Sequence, residues 1–314
     1  AFVGRNAEAK DARLTLARLL LSEKRYGEAR PHFDRLLPEF PDRPEVVYPA
    51  AMLALQQNDF ATGKKLLEKL LTGDFPDKGS LHFFLGQIDE EQKNPDGALA
   101  HYRQVLGGDQ LVPARVRTAQ LLAQRGQGDE AQRVLGNTTG ASGDEQTQLL
   151  QARAQLLREA KQIDEAYALL ADALRAQPDN TELLYDAALL AERLGKIDIL
   201  EAHLKHLLQL KPNHAHGLNA LGYSLADRNL RLDEAHDLVA RALTLAPDDP
   251  FILDSMGWVL FRQGRLGDAL KTLETAYSKK ADPEIAAHLG EVLWQMNRRD
   301  DARRVLIDAA RKFP

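Results

Sequence analysis

Leu253-Asp254-Ser255-Met256-Gly257-Trp258-Val259-Leu260-Phe261-Arg262-Gln263-Gly264-Arg265, followed by Ala269, Leu273 and Ala276, is the stretch whose reading decides the fold. Leu253, Met256, Gly257 and Leu260 fall at i, i+3, i+4 and i+7, and Ala269, Leu273 and Ala276 at i, i+4 and i+7. Both halves therefore carry the apolar stripe of an amphipathic helix. Gln263-Gly264-Arg265 interrupts the stripe where a glycine can take the left-handed conformation that ends a helix. The unit is two helices joined by a tight turn.

The same unit recurs along the chain. Anchors equivalent to Ala269 are Ala29, Gly63, Ala98, Ala131, Ala166, Leu200, Ala235 and Ala302, with steps of 34, 35, 33, 35, 34, 35, 34 and 33 residues from first to last. A second small residue precedes most anchors by twelve: Ala17, Ala51, Gly86, Ala119, Ala154, Ala188, Gly257 and Gly290, with Gly222 thirteen before because its unit has one extra residue. Turns like Gln263-Gly264-Arg265 recur at Leu194-Gly195-Lys196 and Arg125-Gly126-Gln127. Proline closes several units, at Pro41, Pro178, Pro212, Pro247 and Pro314, because it cannot continue the helical hydrogen-bond ladder.

This pattern resembles the tetratricopeptide repeat, a helix-turn-helix unit of 34 residues with small residues at positions eight and twenty and Pro near its end. The resemblance covers residues 10–314 and implies an all-α, right-handed superhelical solenoid of about nine repeats, treated as one domain. Residues 1–9 read as a tail or the remnant of a preceding repeat. Repeats from Thr147 onward match best. The second to fourth are more degenerate, with Gly63 in place of Ala and Gly136-Asn137-Thr138-Thr139-Gly140 after Leu135, so looser packing or a bend is expected there, with a flexible stretch from Gly136 to Gly143.

Composition agrees with helices nearly everywhere: 44% hydrophobic and 28% charged residues, with strand-favouring types sparse. Forty-one basic and 46 acidic residues are interspersed, giving a net charge of −5 and no cationic stripe for a phosphate backbone, so nucleic acid is not an expected partner. No run of 18 apolar residues appears, and no membrane insertion is expected within these residues. The opening AFVGRNAEAKDAR lacks an initiator Met and a secretory pattern, which leads us to expect a fragment or a processed form. The absence of Cys fits a reducing cytoplasm and a disulfide-free periplasmic protein equally.

No catalytic, cofactor or metal motif stands out, and the reading is of a protein that is not an enzyme and takes no cofactor. Gly126-Gln127-Gly128-Asp129-Glu130-Ala131 imitates a dinucleotide fingerprint but falls where a turn between repeat helices is expected. His203 and His206, with His214 and His216 beyond, have spacing compatible with a metal, yet their repeat positions place the first two on the convex solvent side. Arg298-Arg299-Asp300-Asp301-Ala302-Arg303-Arg304 alternates sign within a turn and reads as solvated ion pairs.

The resemblance also implies a working surface, because the first helix of each pair lines the groove through positions two, five, nine, twelve and thirteen. Those positions carry Tyr185, Glu192 and Arg193, then His216, Asn219, Tyr223 and Asp227, then Phe251, Asp254, Trp258, Phe261 and Arg262, then Glu284, Glu291, Trp294 and Gln295, with Tyr48 and Phe83 at equivalent places in the degenerate half. Amphipathic aromatics beside Arg, Asp and Asn have the composition of a protein-binding hot spot. The same positions also fill space between neighbouring first helices, and the sequence leaves both roles open for Trp258 and Trp294.

Leu218-Asn219-Ala220-Leu221-Gly222-Tyr223-Ser224-Leu225-Ala226-Asp227, together with the stretch quoted first, resembles the C-terminal repeats of proteobacterial outer-membrane tetratricopeptide lipoproteins. In particular it is similar to the lipoprotein adaptors that partner a periplasmic carboxyl-terminal-processing protease. That resemblance implies a scaffold on the periplasmic side of the outer membrane that holds the protease and brings it cell-wall hydrolase substrates, with a lipid anchor upstream. Two other classes remain: an assembly scaffold for a secretion, pilus or polysaccharide export machine, and the repeat region of an enzyme whose catalytic domain lies elsewhere.

Overall fold

The computed structural model describes residues 10–313; the expected tail at residues 1–9 and the closing Pro314 lie outside them. Eighteen helices follow one another as nine successive helix-turn-helix repeats among the described residues. The first four pairs are α1 (Lys10–Ser22) with α2 (Tyr26–Glu39), α3 (Pro44–Gln56) with α4 (Phe60–Thr72), α5 (Lys78–Glu91) with α6 (Pro95–Arg103), and α7 (Leu111–Gln124) with α8 (Gly128–Gly136). Then come α9 (Gly143–Glu159) with α10 (Ile163–Ala176), α11 (Thr181–Arg193) with α12 (Ile197–Leu210), and α13 (Ala215–Asp227) with α14 (Leu232–Leu245). The last are α15 (Pro250–Arg262) with α16 (Leu266–Lys279), and α17 (Pro283–Gln295) with α18 (Arg299–Lys312). The chain divides within α9 into two compact units, one ending at Leu156 and the other starting at Leu157.

The helices pack on their own partners from α1 on α2 to α7 on α8 in the first unit and from α11 on α12 to α17 on α18 in the second, and α2, α4 and α6, like α10, α12, α14 and α16, pack on the helix that follows, which is the contact pattern of tetratricopeptide repeats. In the second unit the first helices α13, α15 and α17 also pack on one another and form a continuous wall.

The small residues explain the close pairing. Ala17, Ala29, Ala51, Ala98, Ala119, Ala131, Ala166, Ala188, Ala235, Ala269 and Ala302 are all fully buried. Where glycine stands instead, nothing larger fits without a shift. A Cβ on Gly222 lies 2.9 Å from the Ala235 carbonyl oxygen and 2.6 Å from Val239 Cγ2, and one on Gly257 lies 2.5 Å from Leu273 Cγ. Backbones that approach so closely leave no room for side chains between them.

The punctuation is regular. At the turn inside every pair one residue has positive φ: Lys24, Asn58, Lys93, Gly126, Lys161, Gly195, Asn229, Gly264 and Asn297. Arg231 adds a second such residue in the seventh pair, where the extra residue is absorbed. The sequence expectation of a left-handed turn thus holds at all nine pairs, although only three of the positions are glycine. Asn180, His214, Asp249 and Asp282 cap the first helices of the second unit, each side chain accepting a backbone N–H of the first turn. Pro41, Pro178, Pro212 and Pro247 each follow the last residue of a second helix by two positions.

The degenerate repeats depart from the expectation in one respect. Their anchors Ala98 and Ala131 are as fully buried as any, so packing there is not loose. The irregularity appears as helix length: α6 and α8 have nine residues where α10, α12, α14, α16 and α18 have fourteen. A ring takes up the space at one of them, since a Cβ on Gly86 would lie 2.5 Å from Tyr102 Cε1.

Candidate functional site

All twelve residues read from the sequence as the binding surface lie in the second unit, on α11, α13, α15 and α17. The structure separates them into a buried layer and an accessible one. Asp254 and Trp258 are each 5% exposed and belong to the wall between first helices. Trp294 is 48% and Phe251 43% exposed. Arg193, Asp227 and Glu291 are exposed as well, while Tyr185, Asn219, Tyr223, Phe261 and Arg262 are half-buried.

The buried layer is organised by a residue that the sequence positions did not include. His288, on α17, places Nδ1 at 2.9 and 3.0 Å from the two carboxylate oxygens of Asp254, one repeat earlier. A carboxylate only accepts, so Nδ1 carries the hydrogen. The imidazole stacks on the Trp258 ring with centroids 4.2 Å apart and planes 22° apart, and the Tyr223 ring lies 6.0 Å from it on the other helix. Trp258 also stacks on Phe261 at 5.1 Å, and Arg262 covers it at 5.7 Å. His288 sits at position six of its repeat, which is not an inward position. The available signal was an ionisable residue at an apolar site, 34 residues after an inward Asp.

The accessible layer combines aromatics and charges. The Tyr223 hydroxyl donates to Glu284 Oε1 at 3.2 Å, joining α13 to α17 across α15. Burial, with the carboxylates of Glu284 and Asp227 next in effect, raises the Tyr223 phenol far above its ordinary range. Burial likewise raises the Glu192 carboxyl, with the negative charges of Asp227 and Glu284 adding to it and Arg228 and Arg193 opposing. Lys280 lies 4.3 Å from the Phe251 ring centroid and Arg299 5.2 Å from that of Trp294. Tyr185 packs against the capping His214 at 5.5 Å. Two polar atoms of this face are buried without a hydrogen-bond partner, Asn219 Oδ1 and Trp258 Nε1.

Of the two histidines read as solvent-facing, one is placed otherwise. His203 is half-buried, with its Nε2 buried and unpartnered and its pKa lowered by that burial, because position twenty-three borders the packed side of α12. His206 Nε2 lies 2.8 Å from Asp179. The described residues bring no three His, Asp or Glu side chains together in metal-binding geometry. Gly126 has φ +75° in the turn between α7 and α8, so the fingerprint-like stretch begins a repeat helix and follows no strand. Arg298 and Arg304 both pair with Asp301, as expected of local ion pairs on α18. No helix among the described residues is long and apolar enough to cross a membrane.

Two tetratricopeptide-repeat family models match the chain, one over residues 1–44 and 48–113 and the other over 260–314. A TPR repeat-containing protein of Pseudomonas aeruginosa is 40% identical over 210 residues, 67% of this chain and 36% of that protein. Tetratricopeptide repeat protein 21A of Mus musculus is 27% identical over 156 residues, 48% of this chain and 12% of that protein. The chain thus matches only about a third or less of the length of these relatives. A crystal structure of a tetratricopeptide repeat protein from Parabacteroides merdae aligns with TM-score 0.51 at 15% identity, over 86% of this chain and 93% of that one, a likeness of fold. Repeat spacing, buried small residues, helix pairing and these matches agree: the chain belongs to the tetratricopeptide-repeat family, whose repeats serve as protein-protein interaction scaffolds.

Proposed function

We propose that this chain is an adaptor that binds a periplasmic carboxyl-terminal-processing protease and presents cell-wall hydrolase substrates to it, using the first-helix face of its second unit. The observation that carries the binding reading is the accessible layer on α11, α13, α15 and α17. It has Trp294 and Phe251 open beside cations, over a rigid buried floor of Trp258, His288 and Asp254. A rigid aromatic surface with orienting charges gives wide contact at little ordering cost. The partner's identity rests on resemblance, and the identity to a Pseudomonas aeruginosa relative supports a bacterial setting for it.

The test is titration of the purified chain with the carboxyl-terminal-processing protease of its own host. We expect saturable binding that Trp294→Ala weakens by about ten-fold or more, with helicity and melting unchanged. Absence of binding would remove the protease from the proposal. Binding indifferent to Trp294 would remove this surface.

A further inference from the structure

Four polar side chains of the second and third repeats form a line that ends in two facing imidazoles. Asp89, on α5, is 2% exposed and lies where Gly97 leaves room for it, since a Cβ on Gly97 would come within 2.5 Å of its Oδ2. Lys64 of α4 donates to Asp89 Oδ1 at 2.8 Å. His101 of α6 turns Nε2 toward Asp89 Oδ2 at 3.7 Å, and its Nδ1 lies 3.1 Å from Nδ1 of His82 on α5. The ring centroids are 5.4 Å apart, far enough beyond the separation of the nitrogens that the two Nδ1 atoms face each other along the line joining the rings.

A hydrogen bond between two ring nitrogens needs a hydrogen on one of them and a lone pair on the other. Nε2 of His101 faces a carboxylate that only accepts, so Nε2 carries the hydrogen, Nδ1 is bare, and His82 donates its Nδ1–H to it. A first added proton goes to Nε2 of His82 and leaves that bond intact. A second puts hydrogen on both Nδ1 atoms and sets two positive rings against each other. The charges around the pair do not offset this. Asp89 already accepts from the Lys64 ammonium, Glu68 of α4 is exposed, and Lys78 at the start of α5 adds positive charge. Burial lowers the pKa of both imidazoles, the direction that the geometry requires.

We infer that the His82–His101 pair is a proton-operated latch between α5 and α6, which keeps the third repeat closed while it holds at most one added proton and releases α6 when it takes a second. The helix it holds has only nine residues. Tyr102, the next residue, donates to Glu90 of α5 at 2.6 Å, and that bond is lost when α6 moves away. Because the closed form resists protons, it is fully favoured above the ordinary imidazole value and loses ground as pH falls below it. The latch lies in the first unit and does not depend on the binding reading above.

Hydrogen exchange of the whole chain at about pH 5 and about pH 7.5, corrected for the intrinsic pH dependence of amide exchange, tests the latch. We expect the amides of α6 to exchange about ten-fold or more faster at the lower pH. Protection should persist in α8, which is equally short and has no histidine, and in α16. His82→Gln and His101→Gln, each leaving one imidazole without a charged partner, should remove the pH effect at α6. Imidazole nitrogen NMR of the unaltered chain reads the same latch without a variant. At neutral pH one Nδ1 of the pair should carry hydrogen and the other none, and two separate proton uptakes should follow on acidification. Equal protection of α6 at both pH values, a pH effect that survives either substitution, or both imidazoles taking protons in a single step would overturn the inference.

Discussion

The left-handed turn residues show how much of the molecule is decided one position at a time. Lys24, Lys93 and Lys161 hold φ of 59°, 57° and 63°, a region where a Cβ costs about 1 kcal/mol. The same site is filled by glycine at Gly126, Gly195 and Gly264 without that cost. Lys93→Gly should therefore raise stability by ~0.5–1 kcal/mol and Gly264→Ala lower it by ~1 kcal/mol, read from urea midpoints. The two tryptophans separate in the same way. Trp258→Ala removes a stacked, buried ring and should cost ~3–5 kcal/mol, whereas Trp294→Ala, on an exposed ring, should change stability by less than ~0.5 kcal/mol. A thermal melt of the two variants side by side checks the division. The sequence placed both on one surface and left open whether they bind or pack. The answer was not legible because it depends on His288, whose contact with Trp258 crosses between repeats.

At the scale of the helix, the small residues were the most legible feature, since a fixed interval needs no side-chain detail to be seen. What each small site packs against was not legible. The Cβ of Gly222→Ala meets a main-chain oxygen of α14, which cannot rotate away, while that of Gly257→Ala meets the end of a leucine. Gly222→Ala should then destabilise by ~1–3 kcal/mol despite the better helix propensity of alanine, and more than Gly257→Ala. Chemical denaturation followed by circular dichroism distinguishes these outcomes; a stabilised Gly222→Ala would show that the helices can part slightly at no cost. Departures from the small-residue and proline pattern in the second to fourth repeats foretold something irregular, but the form it took, shortened α6 and α8 over a fully buried Ala98 and Ala131, follows from the composition of those segments. The Gly, Asn and Thr residues after Leu135 do not sustain a longer second helix.

Across the whole molecule, repeated packing leaves imidazoles in similar half-buried places. Burial lowers the pKa of His32, His82, His101, His203 and His214 below the ordinary imidazole value. Below about pH 6.5 the unfolded chain therefore takes up protons that the folded chain resists, so stability falls as pH drops through that window and levels off only beneath the folded values. Lowered carboxylates such as Glu201 and Asp59, held by Lys205 and by the Thr62 backbone N–H, extend the loss into more acidic solution, where they too must take up protons. Helicity-monitored melts should show Tm declining steadily from neutral pH toward pH 5. Constant Tm over that range would mean the imidazoles gain protons without resistance. The fold class and the repeat count were readable from spacing alone because the packing of each repeat is mainly with its neighbours. The contact of Tyr223 with Glu284 was not, because it joins α13 to α17 across the repeat between them, which no local pattern links.

The central claim is that the first-helix wall of the second unit is where a partner polypeptide lies. Hydrogen exchange of the backbone amides in the presence of the bound protease tests it most directly. The account predicts added protection along α11, α13, α15 and α17, centred on Tyr223, Trp258 and Trp294, with α12, α14, α16 and α18 unchanged. Protection confined to those second helices, or to the turns between them, would contradict it.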